Sequence, residues 1–236
     1  SLGDDEVGRM ADGLKSYLFG EDCRETIARG LPYHYVWTSP PDYAEINLTP
    51  IKDDQKYVEF LSSIYSALTP SNGLITSLVT DRKYQGGILP KHKFLTELML
   101  ELGYRLLSHK IWIKGTSRSL FRLTYAHLLT FGTGQQLGQK QREKTFDCAD
   151  FHLDVFFDKQ GRDKDGQPAS LITRCIRAHT KRNEVVFDPF MGRGSTAIAA
   201  VDCGRYFLGS EIDQEKQLET KRSLATSGVE VLTEIA

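Results

Sequence analysis

Two short stretches constrain this chain most, because each ends a buried strand-like run on residues that neither a ladder nor a helix can absorb. The first is HYVWTSPPDYAEINL (34–48). Tyr35-Val36-Trp37 reads as a strand, and Pro40-Pro41 stops it, since neither proline has an N–H and both fix φ. The second is EVVFDPFMGRGSTAIAA (184–200). Val185–Phe187 reads as a strand, Asp188-Pro189-Phe190 ends it, and Gly192-x-Gly194 opens a helix of small residues. Glycines there let the backbone approach a ligand closely, and the helix start presents unpaired N–H groups.

The surrounding pattern alternates. Strands are predicted at 35–38, 74–79, 106–113, 123–131, 185–188 and 206–211. Helices are predicted at 54–68, 94–102, 171–178, 195–201 and 214–225, where apolar residues recur at helical spacing or a strand has just ended. Such alternation implies a mainly parallel sheet with helices on both faces. The segment between Ile113 and Leu123 is too short for a crossover helix, so those two strands are expected to pair antiparallel at one sheet edge. The stretches 81–93 and 132–145 are polar and basic and read as loops.

Composition narrows the class. With 236 residues, 40% hydrophobic, the chain can bury a large core. No run of 18 apolar residues exists, so no membrane partner is expected. The opening SLGDDEVGRM is acidic and resembles neither a signal nor a transit peptide. Cys23, Cys148, Cys175 and Cys203 form no CxxC pair, which points to a reduced intracellular protein and no metal. The net charge is only −1, yet residues 81–144 carry 12 Lys/Arg against 4 Asp/Glu, an excess of +8 that leaves −9 elsewhere. That asymmetry suits an anionic partner on one side, although a solvated face would look the same.

The second stretch suggests the ligand. YFLGSEID (206–213) is another strand ending in an acid, and Glu211 lies 19 residues after Gly192. That is the usual distance for a carboxylate that accepts ribose hydroxyls. No Gly-Lys-Ser/Thr follows, so this is not a phosphate loop. A ligand with a ribose and no pyrophosphate fits, and S-adenosylmethionine (AdoMet) is one. Taken alone, a GxG marks a turn as readily as a ligand site, and a lone Glu is more often a solvated charge. The strands before each make the constellation specific.

These motifs resemble those of the DNA amino-methyltransferases that act on N4 of cytosine or N6 of adenine. TSPP resembles their catalytic Ser/Thr/Asp/Asn-Pro-Pro-aromatic motif, and DPFMGRGST their AdoMet motif. The motif order is that of the β class. YLFGEDCRETIARGLP (17–32) and DFHLDVFF followed by QPASLITRCI resemble flanking family segments, so the likeness spans nearly the whole chain. The resemblance implies a Rossmann-like α/β fold, circularly permuted, with about seven strands and an antiparallel edge hairpin. It implies one methyltransferase domain over 1–236, with 132–150 as a short target-recognition region. It places Ser39, Pro40, Pro41 and Tyr43 in catalysis. It places Asp22, Thr38, Ser170, Asp188, Pro189, Phe190, Gly192, Gly194, Ser195 and Glu211 around AdoMet.

The expected chemistry is direct transfer. An exocyclic amine is a poor nucleophile because its lone pair is conjugated into the ring. Acceptors at Ser39 and the Pro40 carbonyl can hold its hydrogens and localise that pair. Serine at position 39 is typical of the N4-cytosine enzymes. Asp42 stands where the family has an aromatic, so Tyr43, one residue later, is expected to stack on the flipped base, with Tyr84 or Tyr33 as substitutes. Lys83, Lys91, Lys93, Arg118, Lys140 and Arg142 are candidate phosphate contacts. DNA is the expected partner and a homodimer one possible assembly; the bacterial cytoplasm or nucleoid is the expected location, or the nucleus of a eukaryote. An N6-adenine enzyme, a silent DNA- or partner-binding module, and a methyltransferase of RNA or a small amine remain open.

Overall fold

The computed structural model describes residues 16–117, 122–133, 146–147, 151–157, 169–226 and 231–233. Their strands are β1 (Tyr17–Phe19), β2 (Tyr35–Thr38), β3 (Leu74–Val79), β4 (Arg82–Tyr84), β5 (Gly87–Leu89), β6 (Arg105–Ile113), β7 (Tyr125–Gly132), β8 (Val155–Phe156), β9 (Val185–Asp188) and β10 (Tyr206–Ser210). The helices are α1 (Cys23–Ala28), α2 (Asp54–Tyr65), α3 (Lys91–Glu101), α4 (Ala169–His179), α5 (Ser195–Asp202) and α6 (Gln214–Thr226).

Eight strands form one sheet in the order β1-β10-β9-β2-β3-β7-β6-β8. From β1 to β3 every pairing is parallel, and β7 joins β3 antiparallel. The strand bearing Asp188 thus lies beside the strand leading to Ser39, with Val36 opposite Phe187. β6 and β7 pair antiparallel as expected, but they are not the edge, because β8 adds outside β6. β1 and β8 bring the count to eight rather than about seven.

Strand alternation divides the core between the two sheet faces. Tyr35 and Trp37 point to one face, where they join Leu171, Ile172 and Cys175 of α4 and Ala199 and Ala200 of α5. Val36 points to the other, among Tyr57, Leu61 and Tyr65 of α2 and Leu95 and Met99 of α3. β2, β3 and β9 are buried along their whole length, as central parallel strands covered by helices must be.

The stretch 81–93 is not a plain loop. β4 and β5 form a separate antiparallel ribbon, and α3 begins at Lys91. Gln85 and Gly86, the two residues of its turn, both have positive φ, 47° and 80°. That is the two-residue turn whose twist matches a hairpin.

Candidate active site

Parallel strands point their carboxyl ends the same way, so the loops after β1, β2, β3, β9 and β10 open on one edge of the sheet. Hydrogen bonds tie these loops together. The Glu211 N–H donates to the Phe19 carbonyl (3.1 Å) and the Met191 N–H to the Ser210 carbonyl (3.0 Å). The Ser210 hydroxyl donates to the Pro189 carbonyl (3.0 Å). β2 runs parallel beside β9, so the segments that follow them, which carry the two sequence motifs, start at this same edge.

Ser39 is half-buried just beyond β2, and its hydroxyl donates to the Leu78 carbonyl at 3.1 Å. Its one proton is thereby engaged, which leaves oxygen lone pairs as acceptors. Pro41 is anchored from α2 by the Tyr57 hydroxyl, which donates to its carbonyl at 3.0 Å. Asp42 caps a one-turn 3-10 helix, Tyr43–Ile46, and forms a reciprocal pair with Glu45.

That cap overturns the role expected of Tyr43. The turn swings the ring into the core, where it is fully buried and stacks on Tyr57 with centroids 4.2 Å apart. Its hydroxyl donates to Asp54 at 2.8 Å. Neither face is open to a base. Tyr33 is also buried, against Phe187, with its hydroxyl accepting the Thr69 N–H. Tyr84, the remaining substitute, is half-exposed on β4. It shares a ribbon face with Arg82 and with the buried Leu89, the inner face, while Lys83 and Ile88 point outward.

Asp42 itself is held from two sides. Arg82 forms an ion pair with it, and the Lys91 ammonium lies 3.2 Å from its carboxylate. Burial opposes ionisation of Asp42, but Lys91, the Tyr43 N–H and Arg82 together keep its carboxyl below the usual range. Lys91 is therefore not a phosphate ligand: only 5% exposed, it is spent on Asp42. Lys83 and Lys93 are exposed, Lys93 lying 3.5 Å from Glu97. Arg118, Lys140 and Arg142 lie outside the described residues, as does most of 132–150.

In the glycine loop, Gly192 and Gly194 have φ of 56° and 83°. A Cβ on Gly194 would sit 2.4 Å from Thr220 Cγ2 of α6, so glycine is required there for space as well as for backbone. Asp188 organises the loop: its carboxylate accepts the Phe190 N–H (3.0 Å) and the Thr196 hydroxyl (2.6 Å). Burial pushes its pKa up to about 6 against those bonds. Glu211 accepts the Gly192 N–H at 2.8 Å and the Asp213 N–H at 2.9 Å, which places it over the glycine pair. The Phe190 ring faces Phe60 of α2 at 6.1 Å. Thr38 is buried at the end of β2, and Pro189 and Ser195 flank the loop. Asp22 instead caps α1 and binds Arg24, and Ser170 is exposed on the first turn of α4.

A family model described as DNA methylase, covering N6 and N4 amino-methyltransferases, matches residues 33–222. The chain belongs to this family.

Among curated relatives of this DNA methylase chain, the type II methyltransferase M.BglII, from Bacillus subtilis, is 44% identical over 48 residues, 20% of this chain and 13% of its own length. M1.MboII of Moraxella bovis is 47% identical over 49 residues, 21% and 19% respectively. The chain thus spans under a fifth of each of these two relatives. A candidate DNA modification methylase of Thermus thermophilus, TTHA0409, solved with S-adenosyl-L-methionine, is similar throughout: 27% identity, TM-score 0.75, over 94% of this chain and 99% of that one. Arg82 gives no sign in the sequence of pairing with Asp42, 40 residues away, although the Gln85-Gly86 turn is a signal for the hairpin that presents it.

Proposed function

We propose that this chain transfers a methyl group from AdoMet to the exocyclic amine of a base flipped out of DNA, cytosine N4 ahead of adenine N6. The observation that carries this reading is the Ser39 hydroxyl committed as a donor to the Leu78 carbonyl. A hydroxyl so engaged can only accept from a substrate amine. Accepting a hydrogen turns the nitrogen lone pair out of conjugation and toward the sulfonium methyl. The nitrogen–methyl bond forms as the carbon–sulfur bond breaks, with its electron pair passing to sulfur. The amine then sheds one proton to water. Serine at position 39, the residue that resembles the N4-cytosine enzymes of the family, is what supports cytosine over adenine.

AdoMet would lie across Gly192–Gly194 with its ribose on Glu211, the use of this edge that the 2.8 Å bond between Glu211 and Gly192 supports. Lys83 and Lys93, with Arg118, Lys140 and Arg142, would meet phosphates. Labelled-methyl transfer to mixed-sequence DNA, followed by nucleoside mass spectrometry, tests this. N4-methylcytosine is the expected product. N6-methyladenine would move the specificity to the other base. AdoMet binding without transfer would favour the second reading, a silent binding module, for which the buried Tyr43 and the ion-paired Asp42 are the grounds.

A further inference from the structure

Directly after β3, and beside the catalytic edge, Asp81 faces two imidazoles from other elements. Its carboxylate oxygens both lie 2.8 Å from Nδ1 of His92, on α3, and Oδ2 lies 3.3 Å from Nε2 of His127, on β7. One ligand-type atom from each of the three lies within 4.8 Å of the others. Asp81 and His127 are buried, and the His92 side chain is 29% exposed, which leaves one side open. Nothing in the proposed methyl transfer uses this cluster.

We propose that Asp81, His92 and His127 bind one divalent transition-metal ion of the zinc class. A tetrahedral site with ligand bonds of about 2.0–2.1 Å separates its ligand atoms by about 3.3 Å. The Asp81–His127 pair already has that spacing, the Asp81–His92 pair must open by about half an ångström, and the His92 ring, now stacked on His127 with centroids 3.9 Å apart, must turn so that both lone pairs converge on the ion. Two neutral imidazoles and one carboxylate are a suitable donor set, with the fourth position left to water from the His92 side. A supporting partner is in place as well. Nδ1 of His127, the nitrogen a metal would not use, lies 2.8 Å from Nε2 of His109 on β6. That ring nitrogen can accept the His127 Nδ1 proton and so orient the imidazole with Nε2 toward the ion.

The site's position gives it a consequence. Asp81 precedes Arg82 and His92 follows Lys91, so the two ligands close the neck of the ribbon β4–β5, and His127 anchors that neck to the sheet. The same ribbon carries Arg82 and Tyr84. A bound metal would fix the ribbon against Asp42.

The test is a titration of chelator-treated, metal-free full chain with zinc chloride by calorimetry, repeated with cobalt(II) to read the visible bands of low coordination. One equivalent per chain is expected, with a rise in melting temperature. His92→Ala, at the most exposed ligand and the least disruptive to folding, should abolish stoichiometric uptake. His109→Ala should keep the site but weaken it by about 10- to 100-fold. Metal-free circular dichroism melts of both variants separate loss of binding from loss of fold. Absence of uptake by the wild type would overturn the site and leave Asp81 a hydrogen-bonded anchor only, as would uptake unchanged in a folded His92→Ala chain.

Discussion

The Ser39 hydroxyl gives its proton to the Leu78 carbonyl, 3.1 Å away on the neighbouring strand. The bond crosses from the loop after β2 to the end of β3, so the parallel pairing of those strands aims it. In the proposed transfer its value would lie in the transition state, when the amine becomes positively charged and its hydrogens become stronger donors. Ser39→Ala should lower the single-turnover rate by on the order of 10²-fold, comparable to removing one preorganised hydrogen-bond partner elsewhere. AdoMet and DNA affinities should be nearly unchanged. A Ser39→Ala enzyme at full speed would refute the mechanism.

If the proposed base flipping holds, stacking on the flipped base is expected to pass to Tyr84. Tyr43 is sealed between Tyr57 and the core, and Tyr84 lies on the ribbon face that Arg82 turns toward Asp42. Base–aromatic stacking is worth roughly 1–3 kcal/mol, so Tyr84→Ala should reduce transfer by about ten- to a hundredfold with stability unaffected. Tyr43→Ala should do the reverse at equilibrium, costing about 3–5 kcal/mol of folding stability in a denaturant titration. Full transfer activity in Tyr84→Ala would leave the base without an aromatic from this ribbon.

These outcomes mark what could be read from residues alone. β2, β3 and β9 were legible to the residue because central strands are apolar on both faces and end on Pro, Asp or Thr. β1 has three residues and α1 six, too few for a period to show. The position of Tyr43 was not legible because one turn of 3-10 helix, set by the Asp42 cap, decides which way the ring points. Lys91 looked like a phosphate ligand because its partner Asp42 is 49 residues distant. Asp81, His92 and His127 escaped notice for the same reason: only the pairing of β3 with β7 and the return of α3 bring them together.

Asp188 supplies a pH signature. Its ordinary carboxyl value is 3.8, and burial raises it to about 6 in the folded chain. The native state therefore holds the proton more tightly than the unfolded one. Its stabilising contribution is full below about pH 4 and is lost as the pH rises through about 6, a change on the order of 2–3 kcal/mol. Asp188→Asn cannot ionise, so the variant's stability relative to wild type should climb over that window and level off above it. Urea titrations of both cofactor-free proteins between pH 4 and 8 measure this. A difference that does not change with pH would mean Asp188 titrates as an ordinary carboxyl.

AdoMet affinity should depend on Glu211 and Gly194 for different reasons. Glu211 is a ligand by this reading: it already accepts the Gly192 and Asp213 N–H groups, and ribose hydroxyls would share the same oxygens. Glu211→Ala should weaken AdoMet binding by about 1–3 kcal/mol, the cost of leaving buried polar groups unpaired. Gly194 acts through space and backbone. Alanine there would drive a methyl to 2.4 Å from Thr220 Cγ2 at a φ of 83°, and the loop would have to move. Adding Thr220→Ala removes the two nearest atoms, Cγ2 and Oγ1, but leaves the Thr220 Cβ position at 3.0 Å and the left-handed strain of about 1–3 kcal/mol. The double variant should therefore recover part of the affinity lost by Gly194→Ala, not all of it. Calorimetry with AdoMet on the three proteins separates these effects. Unchanged affinity in Glu211→Ala would remove that residue from the ribose, and a double variant no better than Gly194→Ala would show that the collision with Thr220 is not what the glycine avoids.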